Sequence, residues 1–305
     1  MHPHLGGVGK AVLHASGFYA RRLPSVHFPG PAVLCYHGLR AGAAVGQPFE
    51  PLHVPVATFE QHCRLIRESC DPIGADDLLA ALSLGAPLPP RAVLVTFDDG
   101  YRSVLTLAKP ILERYRIPAV VFACSAPIER GSLFWYDAVA RARGEGEVQR
   151  LKSVPFDDWR TSTEPFDVRV AADDAYAPLS VEDLRSLAAT PGIEIGGHTA
   201  EHPILARASG DEQTRQVFDD KRALESWTDR PVRLFSYPNG RPQIDYTAAT
   251  SAIVRRCGYE AAFTTESAYV SASGDRYEVP RFMMLASISA AALAHRFTFG
   301  WLSKR

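Results

Sequence analysis

The chain has no CxxC pair, and its five cysteines (Cys35, Cys63, Cys70, Cys124 and Cys257) are scattered and odd in number. Such a set reads as free thiols, buried for Cys35 and Cys124 inside their apolar runs, and fits a reducing compartment. No apolar run is long enough to span a membrane. The first thirty residues lack a continuous apolar segment of the secretory kind, because Gly6, Gly7 and Gly9 interrupt the start and His14, Arg21 and Arg22 dilute the stretch behind them. The expected location is therefore cytoplasmic. A weak amphipathic helix over residues 10–22 allows peripheral membrane contact, and the plainer reading is a helix packed outside the fold. An excess of either charge is also missing: 33 Lys and Arg against 34 Asp and Glu leave a net charge of −1. No basic field is available for nucleic acid, so no nucleic-acid partner is expected. Internal repeats, low-complexity tracts and interdomain linkers are absent from the sequence as well.

What remains is ordinary globular composition, 46% hydrophobic and 22% charged. Short apolar runs punctuate it at Ala32–Tyr36, Ala92–Phe97, Ala119–Ala123, Ile193–Ile195, Arg233–Tyr237, Ala261–Thr264 and Val279–Met283. Most are nearly continuous in Val, Ile, Leu, Phe and Ala, the pattern of strands covered on both faces. Helical patterns alternate with them at Thr58–Ser69, Ser103–Tyr115, Leu133–Arg143, Asp211–Trp227, Thr247–Cys257 and Ser287–Phe297. Ser180, followed by Asp183, predicts a capped helix start. Alternating β and α over one length of chain predicts an α/β fold, either a parallel barrel or a doubly wound sheet. Gly144–Pro178 breaks the rhythm: it is polar, has no clear period, and reads as a surface insertion that can lie over a site.

The polar residues of interest share one topological position, each at or after the end of an apolar run. His37 follows the first run, Asp98 and Asp99 the second, and His198 and His202 the fourth; Ser236–Gly240 close the fifth, and Arg281 lies in the last. In parallel α/β folds the carboxyl ends of strands gather at one face, where sites form. Asp98 and Asp99 are adjacent carboxylates whose repulsion a divalent cation would offset, one binding metal while its neighbour acts as a base; a helix N-terminus is the alternative. His198 and His202 stand four apart, a spacing that puts two imidazoles on one face of a helical turn. Glu201 occupies the third interior position, so this is not HExxH and its mechanism does not apply. Phe235-Ser236-Tyr237-Pro238-Asn239-Gly240 is a turn that can aim backbone N–H groups at a developing oxyanion, or only a turn.

Together these segments resemble the polysaccharide deacetylase family, the NodB-homology carbohydrate esterases. Thr96–Gly100 reads as its TFDDG motif and His198–His202 as its H-[ST]-x-x-H motif, in the family's order. Phe235–Gly240, Tyr36-His37 and Leu133-Phe134-Trp135-Tyr136 are similar to a subgroup whose third motif reads F-x-Y-P-x-G. The resemblance covers about residues 30–285. It implies a distorted (β/α) barrel with about seven parallel strands over residues 31–305, preceded by an extension at 1–30 and carrying the insertion at 144–178. It further implies a divalent metal, commonly zinc, held by Asp99, His198 and His202, with Asp98 as general base. The Asn239 backbone N–H matches the oxyanion donor, with Tyr237 beside it as a substrate-binding residue. Many members carry Arg where this chain has Ser236; Arg281, from another strand end, is the expected substitute beside Asp98. Leu293-Ala294-His295 matches the family's late motif in letters but lies in an apparent C-terminal helix. Phe156-Asp157-Asp158-Trp159 falls between the first two motifs, so no role is carried onto it.

The reaction this implies is removal of an acetyl group from an N-acetylated or O-acetylated sugar in a glycan or glycan precursor. Two His and one carboxylate leave coordination positions open for water and substrate. His37, at the first strand's end, is expected in the site, protonating the leaving amine or orienting another group. The rival readings are a hydrolase of another non-peptide C–N bond in a small molecule, and a glycan-binding barrel without turnover.

Overall fold

The computed structural model describes residues 5–42 and 47–300. Seven strands form one parallel path: β1 (Ala32–Tyr36), β2 (Ala92–Phe97), β3 (Ala119–Ala123), β4 (Ile193–Gly197), β5 (Leu234–Ser236), β6 (Ala261–Phe263) and β7 (Phe282–Met283). Their order is β7-β1-β2-β3-β4-β5-β6, so each strand follows its predecessor around the ring except the last, which returns beside the first. Phe282 and Met283 register against Leu34 and Cys35 of β1, while Val279 bridges to Phe263 of β6. The final segment thus touches both edges, and the sheet curls into the expected distorted barrel.

The strands form where the apolar runs predict them. β1, β2 and β3 are buried along their whole length, as strands sandwiched between helices and barrel interior must be. Among the helices, Val56–Ser69 buries Phe59, Cys63 and Ile66 on one stripe. Ser180 caps Val181–Ala188: its hydroxyl accepts the Asp183 N–H and the Asp183 carboxylate accepts the Ser180 N–H. Thr247 caps Ala248–Arg256 through the Thr250 N–H in the same way.

Three local expectations change. The single helix read over residues 10–22 is two, Gly7–Ala15 and Phe18–Arg22, split at Gly17 in the left-handed region (φ 73°). They lie against the last helix, Ala290–Phe299, through Phe18 on Phe299 and Tyr19 on His295. The Ser103–Tyr115 pattern is a π turn at Val104–Ala108 followed by an α-helix at Lys109–Tyr115; Pro110 has no N–H for an α bond, and the wider turn absorbs the loss. The insertion, which shows no clear period in the sequence, has regular structure. It folds into helices Glu145–Leu151 and Phe156–Thr163, whose Val148, Leu151, Phe156 and Trp159 share an apolar cluster with Trp135 and Tyr136. Helices of seven and eight residues are too short for a period to stand out. No described helix is long and apolar enough to cross a membrane.

One close approach shapes the site from beneath. At Gly197 an added Cβ would overlap the Tyr259 hydroxyl and press on Asp220 Oδ2 at 3.0 Å. Gly197→Ala is therefore expected to destabilise the protein by about 1–3 kcal/mol, the usual cost of overpacking. The urea midpoint measures this, and an unchanged midpoint would contradict the packing described.

Candidate metal centre

Asp98 and Asp99 leave the end of β2 in opposite directions. The Asp98 N–H still bonds to Tyr36 O at 2.9 Å, continuing the sheet. Asp99 then turns into the left-handed region (φ 74°), with Gly100 after it (φ 93°). That turn throws adjacent carboxylates apart and rules out the helix-N-terminus reading of the pair.

Asp98 meets Arg281 in a bidentate ion pair, Oδ1 to one guanidinium nitrogen at 2.6 Å and Oδ2 to the other at 2.7 Å. Ser236 Oγ bridges the two, donating to Asp98 Oδ2 (3.2 Å) and accepting from Arg281 (2.8 Å). Arg281 is fully buried and also donates to Thr264 O at 2.9 Å. Burial alone would raise the Asp98 carboxyl, but the Arg281 guanidinium outweighs it and holds the group at about 2. The stabilisation from this pair is present above about pH 4, the unfolded range, and is lost as pH falls through about 2.

Asp99 faces the histidines. Its Oδ1 lies 3.3 Å from His198 Nε2 and 3.5 Å from His202 Nε2. All three ligand atoms fall within 4.8 Å of one another, and all three residues are buried. A tetrahedral ion at zinc–nitrogen and zinc–oxygen distances separates its ligands by roughly 3.4 Å. The oxygen that faces both imidazoles, Asp99 Oδ1, is buried without a hydrogen bond. His198 Nδ1 is held at 2.6 Å by Ser236 O, the outer contact that fixes a ligating imidazole's direction. Burial, chiefly, lowers the His202 imidazole to about 3, which leaves one ring nitrogen unprotonated and its lone pair free. Burial also works against a charged His198, but Asp99 and Asp98 beside it reverse the effect and raise that imidazole. The residues fit a divalent metal.

The two histidines do not share a helical turn, as their spacing suggested. His198 continues β4, its N–H bonding to Ala123 O and Asp220 Oδ2. The chain then bends back through Thr199 (φ 68°) and His202 (φ 58°), stapled by His202 N–H to Thr199 Oγ1 at 3.0 Å. A loop anchored at a strand end aims both imidazoles inward, which a helix starting there would not do.

Asp99, His198 and His202 open with Asp98 into a cavity of about 190 Å³ whose wall also includes His37, Tyr136, Lys152, Asn239, Thr265 and Met283. Among the sequence-derived residues, His37 and Asn239 thus join the group and Arg281 supports it from behind. Tyr237 does not join. It is buried in the core, stacked on Tyr246 at 3.8 Å and donating its hydroxyl to Tyr277 O, because the turn that presents Asn239 (φ 56°) points the preceding aromatic the other way. His295 is likewise outside the cavity, bonded to Tyr19, and Trp159 packs on Trp135.

Two residues escaped the sequence reading. Asp220 accepts both the Ser125 and His198 N–H groups, at 2.8 and 2.9 Å, and burial pushes its carboxyl up to about 7. A signal existed: Asp220 shares the buried stripe of helix Gly210–Thr228 with Val217 and Leu224, where a carboxylate is out of place. Lys152, from the insertion, carried none.

The fold and site define a parallel barrel whose strand ends converge a buried Asp–His–His cluster that could hold a metal ion, beside an ion-paired carboxylate. The profile of the family described as "Polysaccharide deacetylase" matches residues 85–262, and the chain belongs to that family. "Putative polysaccharide deacetylase YxkH" of Bacillus subtilis (strain 168) is 23% identical over 265 residues, 85% of this chain and 73% of that protein. The poly-beta-1,6-N-acetyl-D-glucosamine N-deacetylase of Escherichia coli (strain K12) is 26% identical over 260 residues, 78% of this chain. The chain spans only 34% of that relative's length. Among solved structures, the Streptococcus pyogenes deacetylase PplD in complex with acetate has a TM-score of 0.64 at 21% identity, covering 88% of this chain and 96% of its own. IcaB from Ammonifex degensii has a TM-score of 0.65 at 20% identity, covering 90% and 99%. At these identities the structural likeness speaks to the fold.

Asp99→Ala and His202→Ala should each weaken zinc affinity at least about 10-fold relative to the wild type, each removing one of three protein ligands. Isothermal titration with zinc reads this. Retained affinity in both would place the ion elsewhere.

Proposed function

We propose that this protein is a metal-dependent deacetylase that hydrolyses the acetyl group of an N-acetylated sugar in a glycan or glycan precursor. The observation that carries this reading is one small cavity holding an Asp–His–His cluster and, beside it, a carboxylate kept ionised by Arg281. We place the chain with the relatives whose third motif reads F-x-Y-P-x-G. We treat residues 31–305 as the catalytic unit, the insertion at 144–178 as its pocket wall, and residues 1–30 as an extension; residues 1–4, 43–46 and 301–305 of these spans lie outside those described.

Asp99, His198 and His202 would hold the metal, most simply zinc, which when bound supplies Lewis-acid polarisation of the acetyl carbonyl and acidifies water. This chain's own residues do the rest. Asp98, aligned by Arg281 and Ser236, takes the proton of the attacking water. The turn at Asn239 directs its backbone N–H toward the carbonyl oxygen as negative charge develops there. His37 closes the cavity on the β1 side. At about 190 Å³, the cavity suits one acetylated sugar unit with the remainder of a glycan outside. The E. coli relative's printed activity, on poly-β-1,6-N-acetyl-D-glucosamine, supports an N-acetyl rather than an O-acetyl substrate.

Acetate release from N-acetylglucosamine oligomers tests the reading. The zinc-loaded wild type should release acetate, and chelation should stop it. Asp98→Asn should lower kcat by about 10²–10⁴-fold, the range for losing a general base. Arg281→Ala should cripple turnover comparably while zinc titration stays as in the wild type. Undiminished kcat in Asp98→Asn would reject the assigned base.

A further inference from the structure

We propose that the face built by the two N-terminal helices docks onto an anionic phospholipid bilayer. The inference is independent of the deacetylase reading.

A helix at a protein surface ordinarily turns its apolar stripe to the core. Helix Gly7–Ala15 does the reverse. Val8, Ala11, Val12 and Ala15 stand at i, i+3, i+4 and i+7, which is one face of the helix, and all four are exposed. Val8 is 81% exposed and Val12 61%. On the other side Leu13 packs against the core.

The charges around the stripe say what covers it. No Asp or Glu occurs before Glu50 or after Glu278. The two N-terminal helices, and Ala290–Phe299 against which they lie, therefore carry Lys10, Arg21, Arg22 and Arg296 and no carboxylate. Arg21 donates to Ser16 O at 2.7 Å, just past the end of the stripe, and Arg22 to Ser25 Oγ at 3.0 Å; neither meets a carboxylate among the described residues. Helix Val56–Ser69, which also packs on Ala290–Phe299, sets Arg64 and Arg67 against Glu60 and Glu68 and adds no net charge.

An apolar stripe flanked by cations matches the boundary between acyl chains and anionic headgroups. The stripe has no aromatic anchor, and two valines make a poor centre for a protein interface. A bilayer asks only for shallow burial assisted by charge. The chain as a whole has a net charge of −1, so it has no general attraction to an anionic surface, and any preference for one must come from this face. The face also lies clear of the metal cavity. Phe18 stacks on Phe299, Phe297 stacks on Phe28, and the Phe28 N–H bonds to Pro90 O just before β2. These contacts set the helix pair toward the amino ends of the strands, whereas the cavity opens at their carboxyl ends.

Vesicle co-sedimentation tests the proposal. Wild type, the double variant Val8→Ser with Val12→Ser, and the double variant Arg21→Gln with Arg22→Gln are spun with vesicles of pure phosphatidylcholine and of a phosphatidylcholine–phosphatidylglycerol mixture. Melting temperature, sedimentation without vesicles and acetate release from a soluble N-acetylglucosamine oligomer are recorded for each. The wild type should partition at least about 10-fold more strongly onto the mixed vesicles than onto phosphatidylcholine, and each double variant should lose at least about 5-fold of its partition onto the mixture. Melting temperature and acetate release should stay as in the wild type, because all four side chains are exposed and none lines the cavity. Equal partition onto both vesicle types, or variants that bind the mixture as the wild type does, overturns the proposal. A wild-type dimer that ignores vesicles and that the valine variant dissociates overturns it too, and makes the stripe a contact between copies. Charge-dependent binding by a wild type that releases no acetate would support this inference while removing the deacetylase reading.

Discussion

Two adjacent buried carboxylates at the end of one strand are the constraint on which this site is built. Neither can stay ionised alone, since an unpaired buried charge costs several kcal/mol. The chain resolves the pair by sending each to a different cation. Asp98 has one within the protein, the buried Arg281 guanidinium on two short bonds. Asp99 has only two imidazoles, one of which burial keeps neutral, and with them forms a cluster that could hold a metal ion. The same sequence pair thereby yields an ion-paired carboxylate and, beside it, a carboxylate in a candidate metal cluster.

Holding that arrangement takes backbone strain. Among the described residues eight that are not glycine have positive φ, and four of them, Asp99, Thr199, His202 and Asn239, belong to the cavity loops. Left-handed conformations of this kind persist only where surrounding bonds over-determine them. Here those bonds are sheet bonds carried one residue past each strand, from Asp98 N–H to Tyr36 O and from His198 N–H to Ala123 O, together with Asp220, which accepts from two loops at once. The barrel is the rigid frame, and the strain is confined to the residues that aim the chemistry.

The insertion completes the cavity from outside the barrel. Its helices are too short to be stable alone and take their order from an apolar cluster built on Trp135, Tyr136 and Trp159. Tyr136 in turn packs edge-on against His202 at 5.0 Å, and Lys152 reaches Asn239. Barrel loops supply Asp98, Asp99, His198, His202 and Asn239, helix Trp135–Arg143 supplies the Tyr136 ring, and the insertion supplies Lys152.

Much of this was readable in one dimension. The seven strands stood out because burial on both faces demands near-continuous apolar runs, and Asp98, Asp99, His198 and His202 stood out because each comes after such a run. Spacing misled where backbone geometry intervened: the two histidines converge through left-handed loop residues and not a helical turn, and Tyr237 faces the core although Asn239, two residues on, faces the cavity. The short insertion helices had no period long enough to detect. Arg281 meets Asp98, and Lys152 meets Asn239, only because the last segment closes the ring and the insertion folds back over it. Local patterns encode which residues lie along a strand and at its end. Which of them touch is settled by closure of a barrel, a relation between distant chain segments, 183 residues apart for Asp98 and Arg281, that no local period can carry.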